Sequence, residues 1–224
     1  MNSGIQVALV TSGAIGVGVG KLGLPARPKD TPGKQACATV GQCELMYMYD
    51  KMFNEYSHKV GQLLITKEDV EDSQRRGNLV ACFDRLFEMG VLPIINENDA
   101  VAVEEIVYGD NDSLSAIVAR LIHADLLIIL SDIDGLYDAD PRTHPEARRI
   151  PRVTEITDEL RRACTGAGSE LGTGGMETKL RAAEIAGRDG IPTIVMNGTP
   201  PENIYQALEG ADIGTIFERM GSNA

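Results

Sequence analysis

No stretch of this 224-residue sequence reaches the roughly 18 consecutive apolar residues of a membrane span, and no signal-peptide pattern opens it. No membrane partner is expected, and the chain is expected to be cytoplasmic. Positive charge is scarce: 21 Lys and Arg against 33 Asp and Glu leave a net charge of −12, with no long basic run. Nucleic acid is therefore not an expected partner, and any anionic ligand must be held by local groups. Cysteine is sparse too. The four, at positions 37, 43, 82 and 164, form no CxxC pair and no metal-ligand spacing, so they are expected to be buried thiols in a reducing compartment. The three histidines, at 58, 123 and 144, are scattered and match no zinc pattern.

What is present is enough apolar material, 43% of residues, for a full core in one domain spanning 1–224. Short β-branched runs predict strands over Gln6–Val10, Val60–Ile65, Val91–Ile95, Asp125–Leu130, Ile191–Met196 and Thr215–Phe217. Helical periodicity predicts helices over Lys34–Tyr56, Glu71–Met89, the segment SLSAIVARLIHA, a helix carrying Thr178 and Lys179, and Pro201–Glu209. Alternating strands and helices predict an α/β fold, a sheet sandwiched by helices. Leu45, Met48, Met52 and Tyr56 form a stripe that reads as core or subunit interface. Arg75 and Arg76 read as solvated surface, and Asp140 to Pro151 as a connecting loop.

Polar residues collect where these strands end, which is where open α/β sheets place ligands. Thr11, Ser12 and Gly13 follow the first strand and offer hydroxyls and free amides to a carboxylate or phosphate. Asn96, Glu97, Asn98 and Asp99 follow Val91–Ile95, and Asp110, Asn111 and Asp112 precede a helix that Asn111 or Asp112 can cap. Ser131, Asp132, Asp134 and Gly135 follow a third strand. Gly172, Gly174 and Gly175 ahead of Thr178 and Lys179 surround one point with backbone amides and an ammonium, an anion cradle without a Walker A spacing. Each cluster also has a plainer reading as cap, turn or linker, because Asn, Asp, Ser and Gly are ordinary there. Gly18 to Gly23 spells GxGxxG, but it begins well beyond the strand and runs into Pro25 and Pro28, so a dinucleotide site is rejected. The DxDG at Asp132 lacks the spacing and closing Glu of an EF-hand.

Taken together and in order, VTSGAI, VGQ, INENDAV, GDND, a Ser-Asp ahead of GLYDADPR, and LGTGGMETK closely resemble the amino acid kinase family, in particular its glutamate-phosphorylating branch. The resemblance covers essentially the whole chain. It implies a three-layer αβα sandwich with a mainly parallel central sheet, in which ATP and L-glutamate meet over the carboxyl ends of the strands. It also implies Mg2+, a γ-glutamyl phosphate product on the way to proline, feedback inhibition by L-proline, and a homo-oligomer. Carried over by position, the glutamate contacts fall on Ser12, with Gly13 beside it, Asp99 and Asn111. The ATP contacts fall on Ser131, Asp132, Thr173, Gly174, Gly175, Met176, Glu177, Thr178 and Lys179. Lys179 is the implied catalytic ammonium and Asp112 the carboxylate that orients catalytic lysines. The resemblance leaves open which groups meet Mg2+.

In that family a first strand and a Gly-Ser loop with a second phosphate-binding lysine precede the region where this chain begins. MNSGI supplies neither, and Lys21 and Lys29 do not sit in that context. The chain is thus expected to be N-terminally shortened, and also to lack the carboxyl-terminal RNA-binding-like domain of many relatives. Two readings stay open: an active glutamate-phosphorylating kinase, or a non-catalytic or truncated relative that binds ATP, glutamate or proline or pairs with an intact subunit.

Overall fold

The computed structural model describes residues 4–101, 110–139, 141, 143–165 and 175–219, with backbone alone at 162–165. The chain forms two compact units, the first ending at Asn111 and the second beginning at Asp112.

The first unit runs β1 (Leu9–Val10), α1 (Ala14–Lys21), α2 (Thr31–Asn54), β2 (Lys59–Ile65), α3 (Lys67–Glu71), α4 (Ser73–Glu88) and β3 (Val91–Glu97). Its strands lie in the order β1-β3-β2, all parallel. β3 is the middle strand and is buried without a break from Leu92 to Asn96, as an apolar run with neighbours on both sides should be. β1 is shorter than Gln6–Val10 because it pairs with β3 only at Ile94 and Ile95. The predicted helix from Glu71 to Met89 is α4, Ser73–Glu88, and the short α3 over Lys67–Glu71 precedes it. Asp72 leaves the helical conformation and its carboxylate accepts from the N–H groups of Gln74 and Arg75, so it caps α4 and starts it two residues later than expected. Thr66 and Asp69 close a reciprocal capping box at the start of α3.

The glycines after β1 serve the crossing of α1 on α2. A Cβ at Gly18 would lie 1.8 Å from the Cys37 carbonyl oxygen, and one at Gly41 would lie 1.8 Å from the Ala14 carbonyl oxygen. The two backbones touch, with Ala14, Ala38 and Leu45 packed beside them. Gly41→Ala should therefore lower the urea midpoint of unfolding. Alanine gains about 1 kcal/mol of helix propensity, but overpacking against rigid backbone costs about 1–3 kcal/mol, and a midpoint at or above the unaltered value would show that the helices can separate freely. The buried-thiol expectation is corrected here: Cys37 is buried, whereas Cys43 on α2 and Cys82 on α4 are exposed. Of the predicted stripe, Leu45 is buried while Met48 and Met52 on α2, and Tyr56 beyond its end, are exposed.

The second unit takes in α5 (Asn111–Leu121, whose first residue closes the first unit), β4 (Leu127–Ser131), β5 (Arg152–Val153), α6 (Asp158–Thr165), α7 (Met176–Gly187), β6 (Thr193–Asn197), α8 (Asn203–Leu208) and β7 (Gly214–Phe217). The strand order is β4-β6-β7-β5, with β6 and β7 antiparallel and the other pairs parallel. Small residues let α5 and α7 sit close on this sheet: Ala116, Ala119, Ala182, Ala183 and Ala186 join Leu127, Ile129, Val195 and Phe217 in one core. Gly135, at φ +143°, brings the turn after β4 against Thr215, whose hydroxyl accepts from the Leu136 N–H at 2.8 Å and donates to the Ile150 carbonyl at 2.6 Å. β5 and α6 were not anticipated; β5 is two residues long and leaves no periodicity to read.

Candidate active site

In the first unit the parallel pairing of β1 with β3 brings two of the anticipated clusters to one edge. The Thr11 N–H donates to the Ile95 carbonyl at 2.8 Å, so Ser12 and Gly13 leave β1 beside the point where Asn96 to Asp99 leave β3. Ser12 and Gly13 are exposed, and Gly13 adopts φ +93°, a left-handed conformation that swings the chain into α1. Thr11 is buried, with its hydroxyl 2.7 Å from that of Tyr49.

Asn96 is held between two partners. Its Oδ1 accepts from the Glu97 N–H at 2.9 Å and its Nδ2 donates to Oε1 of Gln42 at 3.0 Å. The backbone N–H can only donate, which fixes both amides and leaves Gln42 Nε2 as a buried donor with no acceptor. Gln42 lines a cleft with Ala38, Cys43, Glu97, Asn98 and Asp99. Burial pushes the Glu97 carboxyl above the usual carboxylate range, and repulsion from Asp99 and Asp110 adds to it. Burial also raises Asp99, opposed by the positive charge of Arg27. Half-buried carboxylates that repel one another are a receptor for a cation such as an ammonium group. Gln42 is the last residue of VGQ and drew no role from the sequence. Its signal was a polar residue inside the buried face of α2, between Ala38 and Leu45.

In the second unit the amino ends of α5 and α7 meet through side chains. Lys179 Nζ donates to Asp112 Oδ2 at 3.0 Å, and Thr178 Oγ1 donates to the same oxygen at 2.6 Å. The pair is nearly out of solvent, with the Lys179 side chain 8% and the Asp112 side chain 18% exposed. Asn111 is the first residue of α5, directly before Asp112, and both carry polar groups where the helix dipole favours negative charge. α7 begins at Met176 after Gly175, which caps it without a side chain, so the first amides of the helix have no side-chain partner from that cap. Met176 and Thr178 are half-buried and Glu177 is exposed. Thr173 and Gly174 lie outside the described residues.

At the end of β4 the Ser131 hydroxyl donates to Asp132 Oδ1 at 3.3 Å, and the Ser131 carbonyl accepts from the Gly198 N–H at 2.9 Å. Asn197 Nδ2 donates to Asp134 Oδ1 at 3.1 Å, so the loops after the parallel strands β4 and β6 are tied together. Lys21, not promoted from the sequence, forms an ion pair with Glu44 on exposed surface. Among the described residues no three His, Cys, Asp or Glu side chains gather as a metal site. No described helix is long and apolar enough to cross a membrane.

A sequence profile described as the Amino acid kinase family matches residues 1–197. The chain is 53% identical over 220 residues to the glutamate 5-kinase of Clostridium perfringens (strain 13 / Type A), covering 96% of this chain and 82% of that protein. It is 51% identical over 215 residues to the glutamate 5-kinase of Geobacter sulfurreducens, covering 96% of this chain and 58% of that longer protein. Among solved structures, the T. acidophilum isopentenyl phosphate kinase product complex superposes with a TM-score of 0.62 at 19% identity, covering 95% of this chain and 83% of the other. The UMP kinase of Bacillus anthracis does so at 0.59 and 15%, covering 97% and 81%. At those identities the structural likeness speaks for the fold.

Proposed function

This chain belongs to the amino acid kinase family, and from that premise we propose that it transfers the terminal phosphoryl group of ATP to the side-chain carboxylate of L-glutamate. The product is γ-glutamyl phosphate, the first intermediate on the way to proline. The observation that carries this reading is the shielded Lys179–Asp112 pair at the start of α7, in a chain about half identical to several glutamate 5-kinases. Both units are read as one kinase domain, 1–224, because the family match runs unbroken across the boundary at Asn111.

The chemistry asks little acid–base work of the protein. A glutamate side chain has a free pKa of about 4.3 and is already a nucleophile at neutral pH. Catalysis then rests on positioning and on stabilising charge as the phosphoryl group moves. We assign the second role to the Lys179 ammonium and the amides at the start of α7, with Asp112 holding Lys179 in place. Ser131, Asp132, the backbone from Gly175 to Thr178 and the Lys179 side chain are assigned to ATP, with Thr173 and Gly174 carried from the sequence. Asp99 takes the amino group of glutamate, with Ser12, Gly13 and Asn111 as hydrogen-bonding partners of the same substrate.

Magnesium does not fit a protein-built cage here. The described residues assemble no three-carboxylate cluster, and Oδ2 of Asp112 already accepts from two donors. Mg2+ retains water and leans on substrate phosphates, so it is expected to arrive with ATP. Feedback inhibition by L-proline is proposed on the same cleft as glutamate, since proline also presents an amine and a carboxylate. Self-association is proposed through the exposed Tyr47, Met48 and Met52 of α2 and Tyr56 just beyond it. A cytoplasmic location follows from the use of ATP and a free amino acid.

An acceptor panel tests the assignment. With glutamate, aspartate, acetylglutamate and a nucleoside monophosphate offered in turn, only glutamate should support ADP release. Turnover with another member of the panel in its place would reassign the acceptor.

A further inference from the structure

The Thr178 hydroxyl lies 2.6 Å from Asp112 Oδ2 and 2.8 Å from the Gly175 carbonyl, but it has one proton to give. A hydroxyl bonded to a carboxylate is stronger and shorter than one bonded to a neutral carbonyl, and 2.6 Å is in the range of the charged kind. The proton therefore belongs to Asp112. This is the oxygen that also holds Lys179 Nζ at 3.0 Å. Two donors thus compete for one carboxylate oxygen, one of them the ammonium assigned to the phosphoryl group.

We propose that Thr178 is a positioning residue that moderates the grip of Asp112 on Lys179, and that its side chain is not a nucleotide contact. The inference rests on the function proposed above. With the hydroxyl in place, part of the charge on Oδ2 is already neutralised, so the ammonium is aligned without being fully spent on its own partner. The Gly175 carbonyl, 2.8 Å away in the backbone that precedes α7, is the alternative acceptor for the same proton. When the hydroxyl is removed, Oδ2 turns wholly to Lys179, the pair tightens, and less of the ammonium charge reaches the transferring group.

The test compares Thr178→Val, which keeps the shape and loses the hydroxyl, with Thr178→Ser, which keeps the hydroxyl, in the full chain. Valine should lower kcat about tenfold, equivalent to about 1.4 kcal/mol, with KM for glutamate and for ATP within about twofold. Serine should restore kcat to within about threefold. In a background of Lys179→Met the valine change should have no further effect on turnover, since it acts through that lysine. Unchanged kcat in Thr178→Val, failure of serine to restore it, or a further loss in the Lys179→Met background would overturn the proposal. Calorimetry with Mg-ATP gives a reading that does not depend on the acceptor. Affinity unchanged by Thr178→Val is expected, whereas tenfold weaker binding would make Thr178 a nucleotide contact. If the unaltered chain phosphorylates a different acceptor, the function proposed above fails, and the Thr178 ratios are then measured with that acceptor.

Discussion

Replacing Lys179 with methionine should reduce glutamate-dependent turnover by a factor of about 100 to 1,000, the scale seen when one preorganised electrostatic donor is taken from a transition state. Methionine fills much the same volume, so the loss is one of charge. The change also leaves the carboxylate of Asp112 with Thr178 in place of two partners. Breaking a fully buried pair costs about 3–5 kcal/mol; Asp112 is still 18% exposed and retains a hydroxyl donor, so the cost should fall below that range. Adding Asp112→Asn removes the stranded charge. The double variant should regain most of the lost thermal stability while remaining inactive. That separation distinguishes a catalytic lysine from a structural one. Turnover surviving in Lys179→Met would take Lys179 out of the mechanism.

The second large effect concerns Asp99. Asp99→Asn should raise KM for glutamate about 10- to 100-fold, the equivalent of one hydrogen bond to a charged group at about 1.5–3 kcal/mol. KM for ATP should move far less. The same substitution should raise the melting temperature at neutral pH. Burial lifts the Asp99 carboxyl above its unfolded value, so its stabilising contribution is present below the unfolded pKa and is lost as pH rises through the folded one. At neutral pH the ionised group weakens the fold, and it also repels Glu97, whose carboxyl is raised in the same direction. Asparagine removes both penalties. In acid below the unfolded pKa, where both side chains are neutral, the gain should vanish. Equal rises in both KM values would contradict the assignment of Asp99 to the amino end of glutamate, and a lower melting temperature at neutral pH would contradict the destabilising effect of its buried charge.

These two residues mark how far the sequence could be read. Asp99 was legible because it follows a β-branched run, and a run buried on both sides of a parallel sheet declares its own carboxyl end. Lys179 was legible as a cation after a glycine-rich stretch. Its partnership with Asp112 was not readable from spacing, because the two stand 67 residues apart and only the packing of α5 and α7 brings them together. Thr178 looked like one more residue of an anion cradle for the same reason.

Elsewhere local rules found the element and missed its detail. The helix read over Glu71 to Met89 is α4, and it begins two residues inside that span because the Asp72 side chain bonds to its own following amides. The glycines after β1 spell GxGxxG without a dinucleotide site, and Gly41 stands inside VGQ. Gly18 is needed for contact with the Cys37 carbonyl, and Gly41 for contact with Ala14. Cysteine burial was inferred from residue type, whereas helix rotation decides it: Cys37 faces α1 and Cys43, six positions later, does not.

The most direct test of the central claim is to incubate the 224-residue chain with Mg-ATP, glutamate and hydroxylamine, and to quantify both ADP and the γ-glutamyl hydroxamate. An acyl phosphate on the side-chain carboxylate should be trapped in equal amount to the ADP released, and neither should form without glutamate. ADP release without hydroxamate, or hydroxamate formed from a different acceptor in place of glutamate, would contradict the reading of this chain as a glutamate-phosphorylating kinase.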